Sequence, residues 1–502
     1  MQKQIITSAI ALTLFGCGGG ESGNSGNPTP PPVKNFNVNF LGLKVQSNET
    51  NCQIFGYNSD KSKNVIAFSS RPDSGYEIIL HNSDGSVHKK YNNFSTTSFS
   101  FKQNEVPNNG YVSFAEFSRS GISHVTTFAK ELLPESLNIY AKGSATNNCL
   151  TPSSANPNPK IETGYINPIL GKTLHFYSGF NTAYQNLDNL TAQYKQNNLG
   201  NTAINFSTQQ RPFLAIQYAT NAEGSELNQL VGFKFTTQKG SAAAPLELTE
   251  VTRSNAPWDI PNDLNLDSAN LFVDGRQFNA PYAYLWQPLT TTQNGEFNYS
   301  DDIDDTNYYL NIIGKQNIGG QVNIWGVQHV AQGTTGTTNK GTSLSANSIL
   351  ADFPSPENPR LVDCHNNSTQ QCIELPYNSS FSNGNQRIFI SASLKNSSQT
   401  LRQILYTPYQ TELPTIKFDR STFDNNINML TSSYISLLQT KHSNIIDSFF
   451  YQYQDLYDLA GQFNKIDDPR VDYIPLLKNI AAQQDQQDLL KRQPYTWVWL
   501  EE

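Results

Sequence analysis

The residues suited to chemistry in this chain are few and scattered. His81 and His88 flank Asp84-Gly85 in the stretch 78–91, IILHNSDGSVHKKY. A two-residue turn on Asp84-Gly85, where both positions tolerate positive φ, pairs Asn82 with Val87, Leu80 with Lys89 and Ile78 with Tyr91. That register sets the two imidazoles opposite each other, on the more polar face with Ile79 and Lys90, near enough to share a transition metal. Two ligands without a third make a weak site, and an exposed pair is the plainer expectation. Asp301, Asp302, Asp304 and Asp305 form a second candidate, since carboxylates converging from one loop suit calcium. The run lacks the glycine and distal glutamate of an EF-hand, so a solvated acidic turn before a strand at 308–313 is the simpler reading. No cofactor is expected beyond that calcium.

The common catalytic signatures are missing or broken. No histidine is followed by glutamate, so the zinc-protease helix motif is absent. Gly121-Ile122-Ser123-His124-Val125 fails the nucleophile-elbow pattern at its last position. Gly171-Lys172-Thr173 has the end of a phosphate-binding loop, but Ile166 stands where its first glycine belongs, and a strand-like run comes next. Two carboxylates dispersed in sequence would suffice for glycoside hydrolysis and leave no spacing signature.

The five cysteines divide into one and four. Cys17 closes Leu14-Phe15-Gly16-Cys17, which follows Lys3 and a short apolar run from Ile5 to Phe15. One positive charge before a short apolar stretch is the layout of a secretory signal. That stretch is too short for a bilayer, which needs about 20 apolar residues. The motif resembles the lipobox of bacterial lipoproteins, with Phe15 departing from the small or polar residue usual at its position. The resemblance implies a signal peptide over 1–16, acyl chains on Cys17 and anchorage to a membrane. Gly18 stands where lipoproteins retained in the inner membrane typically carry aspartate, which points to the outer membrane. One acyl chain holds a protein weakly; two or more hold it stably.

Cys52, Cys149, Cys364 and Cys372 remain, an even number suited to an oxidising compartment. Three pairings are open. The one that joins Cys52 to Cys149 and Cys364 to Cys372 needs no contact between domains, and it is the expected one. Cys-x-x-Cys spacing is absent, which weighs against a metal centre.

These groups need elements to position them, and most of the chain reads as short strands. The formal net charge of −8 becomes −9 once residues 1–16 and their lysine are removed. An acidic chain without Lys/Arg clusters excludes nucleic acid as a natural partner. Charged residues are only 15% while aromatic residues reach 11%, a balance suited to β-sandwiches with polar outer faces. Residues 17–35 form a lipidated tether, flexible through Gly and Ser, then stiffened by Pro28, Pro30, Pro31 and Pro32. Breaks at 151–160 and 254–263 separate sandwich domains over 36–150 and 161–255 and a β-rich domain over 256–418. Candidate strands include 36–40, 203–206, 213–218, 231–235, 270–273, 308–313, 322–327 and 387–392. The stretch 95–111 with its Phe-Ser-Phe strand, continuing as VPNNGYVSF, resembles the repeated sandwich modules of bacterial surface proteins, immunoglobulin-like and carboxypeptidase-regulatory-like.

From 419 to 502 the pattern turns helical, with a terminal strand. Ser421-x-x-Asp424 can cap a helix that carries Phe423, Ile427, Leu430, Tyr434, Leu437 and Leu438 on one face. A second run carries Ile445, Ile446, Phe449, Phe450, Tyr453, Leu456 and Tyr457. A third helix lies within 476–490, and Tyr495-Thr-Trp-Val-Trp499 closes the chain as a strand. The expected architecture is therefore mainly β: tandem antiparallel β-sandwich modules followed by a helical region. The expected function is a non-catalytic one, binding, adhesion or envelope scaffolding, with a protein or glycan partner. A hydrolase of glycan or peptide substrate is the competing class.

Overall fold

The structure, a computed structural model, describes most of residues 34–153, separate strands and short connections between 160 and 345, and most of 359–451 and 472–501. Residues 1–33, 301–307 and 452–471 are among those outside it. The described chain is mainly β, arranged in several sheets with few helices. The eight candidate strands are all present, among them Asn35–Ser47, Phe213–Thr220, Tyr308–Ile318 and Asn385–Leu394.

Twelve strands form the largest sheet. From one edge it runs through Ala283–Pro288, Asn265–Asp274, Tyr308–Ile318, Gln321–Val330, Tyr495–Glu501 and Ile427–Gln439. It continues through Asn385–Leu394, Thr400–Pro408, Ile122–Ala129, Tyr111–Glu116 and Tyr76–His81 to Val87–Tyr91. Its pairings are antiparallel except where Thr400–Pro408 lies parallel to Ile122–Ala129. The sheet thus draws strands from 36–150, 256–418 and 419–502, while a separate six-stranded sheet is made wholly of strands between Asn35 and Cys149. The terminal strand Tyr495–Glu501 sits in the interior of the sheet, flanked on both sides. Gly326 makes this possible: a Cβ there would lie 2.5 Å from the Trp497 indole nitrogen.

Both faces of one half of this sheet are covered. Tyr76, Ile78, Leu80, Val112, Phe114 and Phe128 pack with Phe36, Val38 and Phe40 of a six-stranded sheet. Ile79, Ala115, Val125, Ile388 and Leu405 pack on the other side with Ile373 and Leu413 of a small three-stranded sheet. The other half packs Phe272, Tyr284, Trp286 and Tyr308 against Leu214, Ile216, Tyr218 and Phe233 of a five-stranded sheet. These layers of sheet on sheet are the sandwich arrangement.

The first helix expected after 419 is a correction. Ser421–Asp424 is a single helical turn, and Ile427–Gln439 is a strand between Asn385–Leu394 and Tyr495–Glu501. Ile435 and Leu437 enter one core, while Leu438 enters the other. A strand buried on both faces has apolar residues in succession, and these imitate a helical stripe. The later expectations hold better. Ser443–Phe450 and Ile480–Leu490 are helices, whereas Tyr453, Leu456 and Tyr457 lie outside the described residues.

Both disulfides join the expected partners. Cys52 binds Cys149 across 97 residues, with Cα atoms 5.6 Å apart, and Cys364 binds Cys372 across 8. The first ties the loop before Ile54–Tyr57 to the edge strand Gly143–Cys149.

Candidate functional site

The hairpin at Asp84-Gly85 departs from the expected turn. Gly85 takes positive φ, +78°, but Asp84 is not among the residues that do. The Gly85 N–H donates to Asn82 O at 3.0 Å, and the Asn82 N–H donates to Ser86 O at 2.9 Å. Ser83-Asp84-Gly85 is therefore a three-residue loop that ends in a glycine bulge. Ile78 still faces Tyr91 and Leu80 still faces Lys89, but His81 now faces Val87. His81 is buried and His88 exposed, so the two do not form a pair.

His81 instead starts a buried polar chain. Its Nε2 lies 2.8 Å from Ser113 Oγ, which lies 2.8 Å from Thr127 Oγ1, and the Gln403 amide donates to Thr127 Oγ1 at 2.8 Å. These side chains come from four neighbouring strands, Tyr76–His81, Tyr111–Glu116, Ile122–Ala129 and Thr400–Pro408. All are buried, so the chain joins strands and has no access for substrate. Ser123, from the broken nucleophile-elbow motif, is also buried, and its Oγ accepts the Ser118 N–H at 3.0 Å.

The acidic run Asp301, Asp302, Asp304 and Asp305 lies outside the described residues, as does Cys17. Among the described residues one sulfur–carboxylate cluster could suggest a metal: Cys364, Cys372 and Glu412. Its two sulfurs are bonded to each other, and the Glu412 carboxylate accepts the His365 N–H at 3.0 and 3.2 Å. Thiolates make such a site, and a disulfide has none.

A cleft of about 510 Å³ offers more. It opens where the strands Tyr76–His81 and Tyr111–Glu116 meet the loop that leads into Ser421–Asp424. Its lining includes Glu116, Arg119, Lys142, Gln399, Arg420 and Thr422, with Phe117, Ile122 and Phe423 as apolar wall.

Each wall is fixed by local chemistry. Asp419 takes positive φ, +48°, and turns the chain into the short helix. The Asp424 carboxylate reaches back to accept the Phe418 N–H at 2.6 Å and the Arg420 N–H at 2.8 Å. Arg420 is thereby held over the Phe117 ring, 4.3 Å from its centroid, and Phe117 packs on Phe418 and Phe423. The guanidinium Nη2 donates to Glu77 Oε1 at 2.6 Å. Glu77 is buried, so this charged pair joins the sheet to the loop. On the opposite wall the Gln399 amide donates to Ser118 O at 3.0 Å and to Arg119 O at 2.8 Å. Beneath the floor Tyr76 is fully buried, and its phenol is pushed well above its ordinary value by desolvation and then by the Glu116 charge.

Half-exposed rings also gather at an outer corner. Tyr91 lies 4.8 Å from Phe99, and Phe94 lies 5.3 Å from Phe99, with planes tilted by 58° and 72°. Tyr91 donates to Glu105 at 2.7 Å. These rings form the rim of a core, packed against the buried Phe101.

The cleft has no signature in the sequence. Its residues come from 74–75, 116–122, 142, 399 and 420–423, segments with no common spacing. The capping pattern Ser421-x-x-Asp424 is the nearest signal, and it marks the loop that carries Arg420. Comparison of the chain with family models, with curated proteins and with solved structures finds no match.

Proposed function

We propose that this protein is a lipid-anchored binding protein of the bacterial outer membrane, with the cleft beside Arg420 as its ligand seat. The observation that carries the reading is the cleft's construction. Polar and charged side chains from five separate segments converge on one cavity, and hydrogen bonds hold both of its walls. A rigid concave site with few, fixed polar groups is the arrangement for recognition. One carboxylate, Glu116, stands in the lining, and the nearby Glu77 carboxylate is engaged by Arg420. Glycoside hydrolysis uses two carboxyl groups that face each other across the scissile bond, so binding suits this lining better than that chemistry.

The anchor rests on the lipobox-like Leu14–Cys17 and the tether beyond it. Among the described residues no helix is long and apolar enough to cross a membrane. An acylated Cys17 would hold the folded part at a bilayer, with 18–35 as spacer.

Probing a glycan and peptide array with the purified protein and with Thr422→Trp tests this function. Thr422 is exposed on the cleft wall, so the indole fills the cavity without entering a core. Binding to array members that Thr422→Trp removes is the expected result. Array binding that Thr422→Trp leaves intact would place the ligand elsewhere and end this reading.

A further inference from the structure

We infer that the cleft selects a carboxylate carried on a polar, hydroxylated body, which is the chemistry of an acidic saccharide. This selectivity rests on the cleft being the ligand seat.

The charges around the cavity do not cancel. Arg119 and Lys142 both line it, and neither side chain makes an ion pair or hydrogen bond among the described residues. Arg119 is exposed and Lys142 half-buried, so both can reach a ligand. Arg420 adds a third cation. Its guanidinium carries five N–H donors, and one of them is engaged, by Glu77. Stacking on Phe117 fixes the plane of that guanidinium, which prepares it for the planar, two-point recognition of a carboxylate. Among the charged side chains of the lining, these three cations stand against one carboxylate, Glu116, with Glu77 engaging Arg420 from behind. The whole chain is acidic, at −8, so a positive cleft on it is a local feature that focuses anions.

The rest of the lining describes the ligand's body. Ser74, Ser118 and Thr422 present hydroxyl-bearing residues, and the apolar wall is small and partly occupied, because Arg420 covers the Phe117 face. A small apolar ligand would need an enclosed greasy cavity. An extended peptide would gain most by pairing with a sheet edge. A half-open polar cleft instead suits one or two sugar units that remain partly hydrated.

Calorimetry with the purified full-length protein decides the matter using three probes of similar length: oligogalacturonate, neutral oligogalactan and oligoglutamate. Oligogalacturonate should bind, and raising salt from about 50 to about 500 mM should weaken it at least several-fold, through screening. The double variant Arg119→Ala/Lys142→Ala should lose at least tenfold in affinity, and Arg119→Lys should retain most of it. Equal binding of oligogalactan overturns the role of charge. Binding of oligoglutamate without oligogalacturonate overturns the saccharide body. Binding of none of the three overturns the ligand class. In each case the seat itself falls only if Thr422→Trp also leaves array binding unchanged.

Discussion

The His81 imidazole Nε2 lies 2.8 Å from the Ser113 hydroxyl, inside the largest sheet and away from solvent. With Thr127 and Gln403 it forms a lateral line of polar contacts beneath one apolar layer. The line runs most simply from the Gln403 amide through two hydroxyls to a neutral imidazole that accepts. Protonation of His81 would turn that acceptor into a donor.

Acid should therefore weaken the fold through His81. Desolvation pushes its pKa down to about 3 from an ordinary value near 6.5. Because the folded value is lower, the unfolded chain takes the proton first. The contribution is intact above pH 6.5, declines as pH falls from 6.5 toward 3, and changes no further below that. At about 1.4 kcal/mol per unit, the loss from this group by about pH 4.5 is on the order of 2–3 kcal/mol. Urea unfolding at about pH 7 and about pH 4.5 should show a steeper decline in the wild type than in His81→Gln. Equal declines would mean that His81 does not carry the effect.

Loss of the long disulfide should be felt throughout the large sheet. A closed loop of 97 residues corresponds to about 4–5 kcal/mol in the chain-entropy model. Four of the strands it encloses, Tyr76–His81, Val87–Tyr91, Tyr111–Glu116 and Ile122–Ala129, share a sheet with Tyr495–Glu501. Cys52→Ala/Cys149→Ala should lower the melting temperature by near-ultraviolet and far-ultraviolet circular dichroism together. Separate transitions in the two signals would show that 36–150 unfolds independently.

Gly85 is expected to tolerate no side chain. It combines positive φ with a Cβ position 2.6 Å from Thr415 O, and its own carbonyl accepts the Lys417 N–H at 2.9 Å. Gly85→Ala should cost about 1–3 kcal/mol, from backbone strain and the lost docking of the hairpin. Denaturant titration measures this, and a change below about 0.5 kcal/mol would contradict it.

At the N-terminus, Cys17→Ser should abolish acylation and leave the precursor uncleaved. Labelled palmitate and the mobility of the product on a gel report both. Palmitate incorporated into the variant would refute the anchor.

Legibility in the sequence tracks the number of buried faces. Alternation reveals strands such as Asn35–Ser47, and cysteine parity with domain spacing gives the pairing of Cys52 with Cys149. Ile427–Gln439 reads as a helix because both of its faces are covered, which replaces alternation by an apolar run. His81 reads as a polar-face residue for the same reason, since a second core lies over it. The parallel contact between Thr400–Pro408 and Ile122–Ala129 has no local signal at all. The cleft depends on that contact: Gln399 precedes one strand, and the Ser118–Ile122 segment it holds leads into the other.

A ligand seated in the cleft beside Arg420 should shield the walls that surround it. Hydrogen exchange of the purified protein, with and without an array-identified ligand, tests this most directly. Slowed exchange at 116–122 and 417–424, with the corner at Tyr91, Phe94 and Phe99 unchanged, is the predicted result. Slowed exchange confined to that aromatic corner, with 116–122 and 417–424 unaffected, would contradict it.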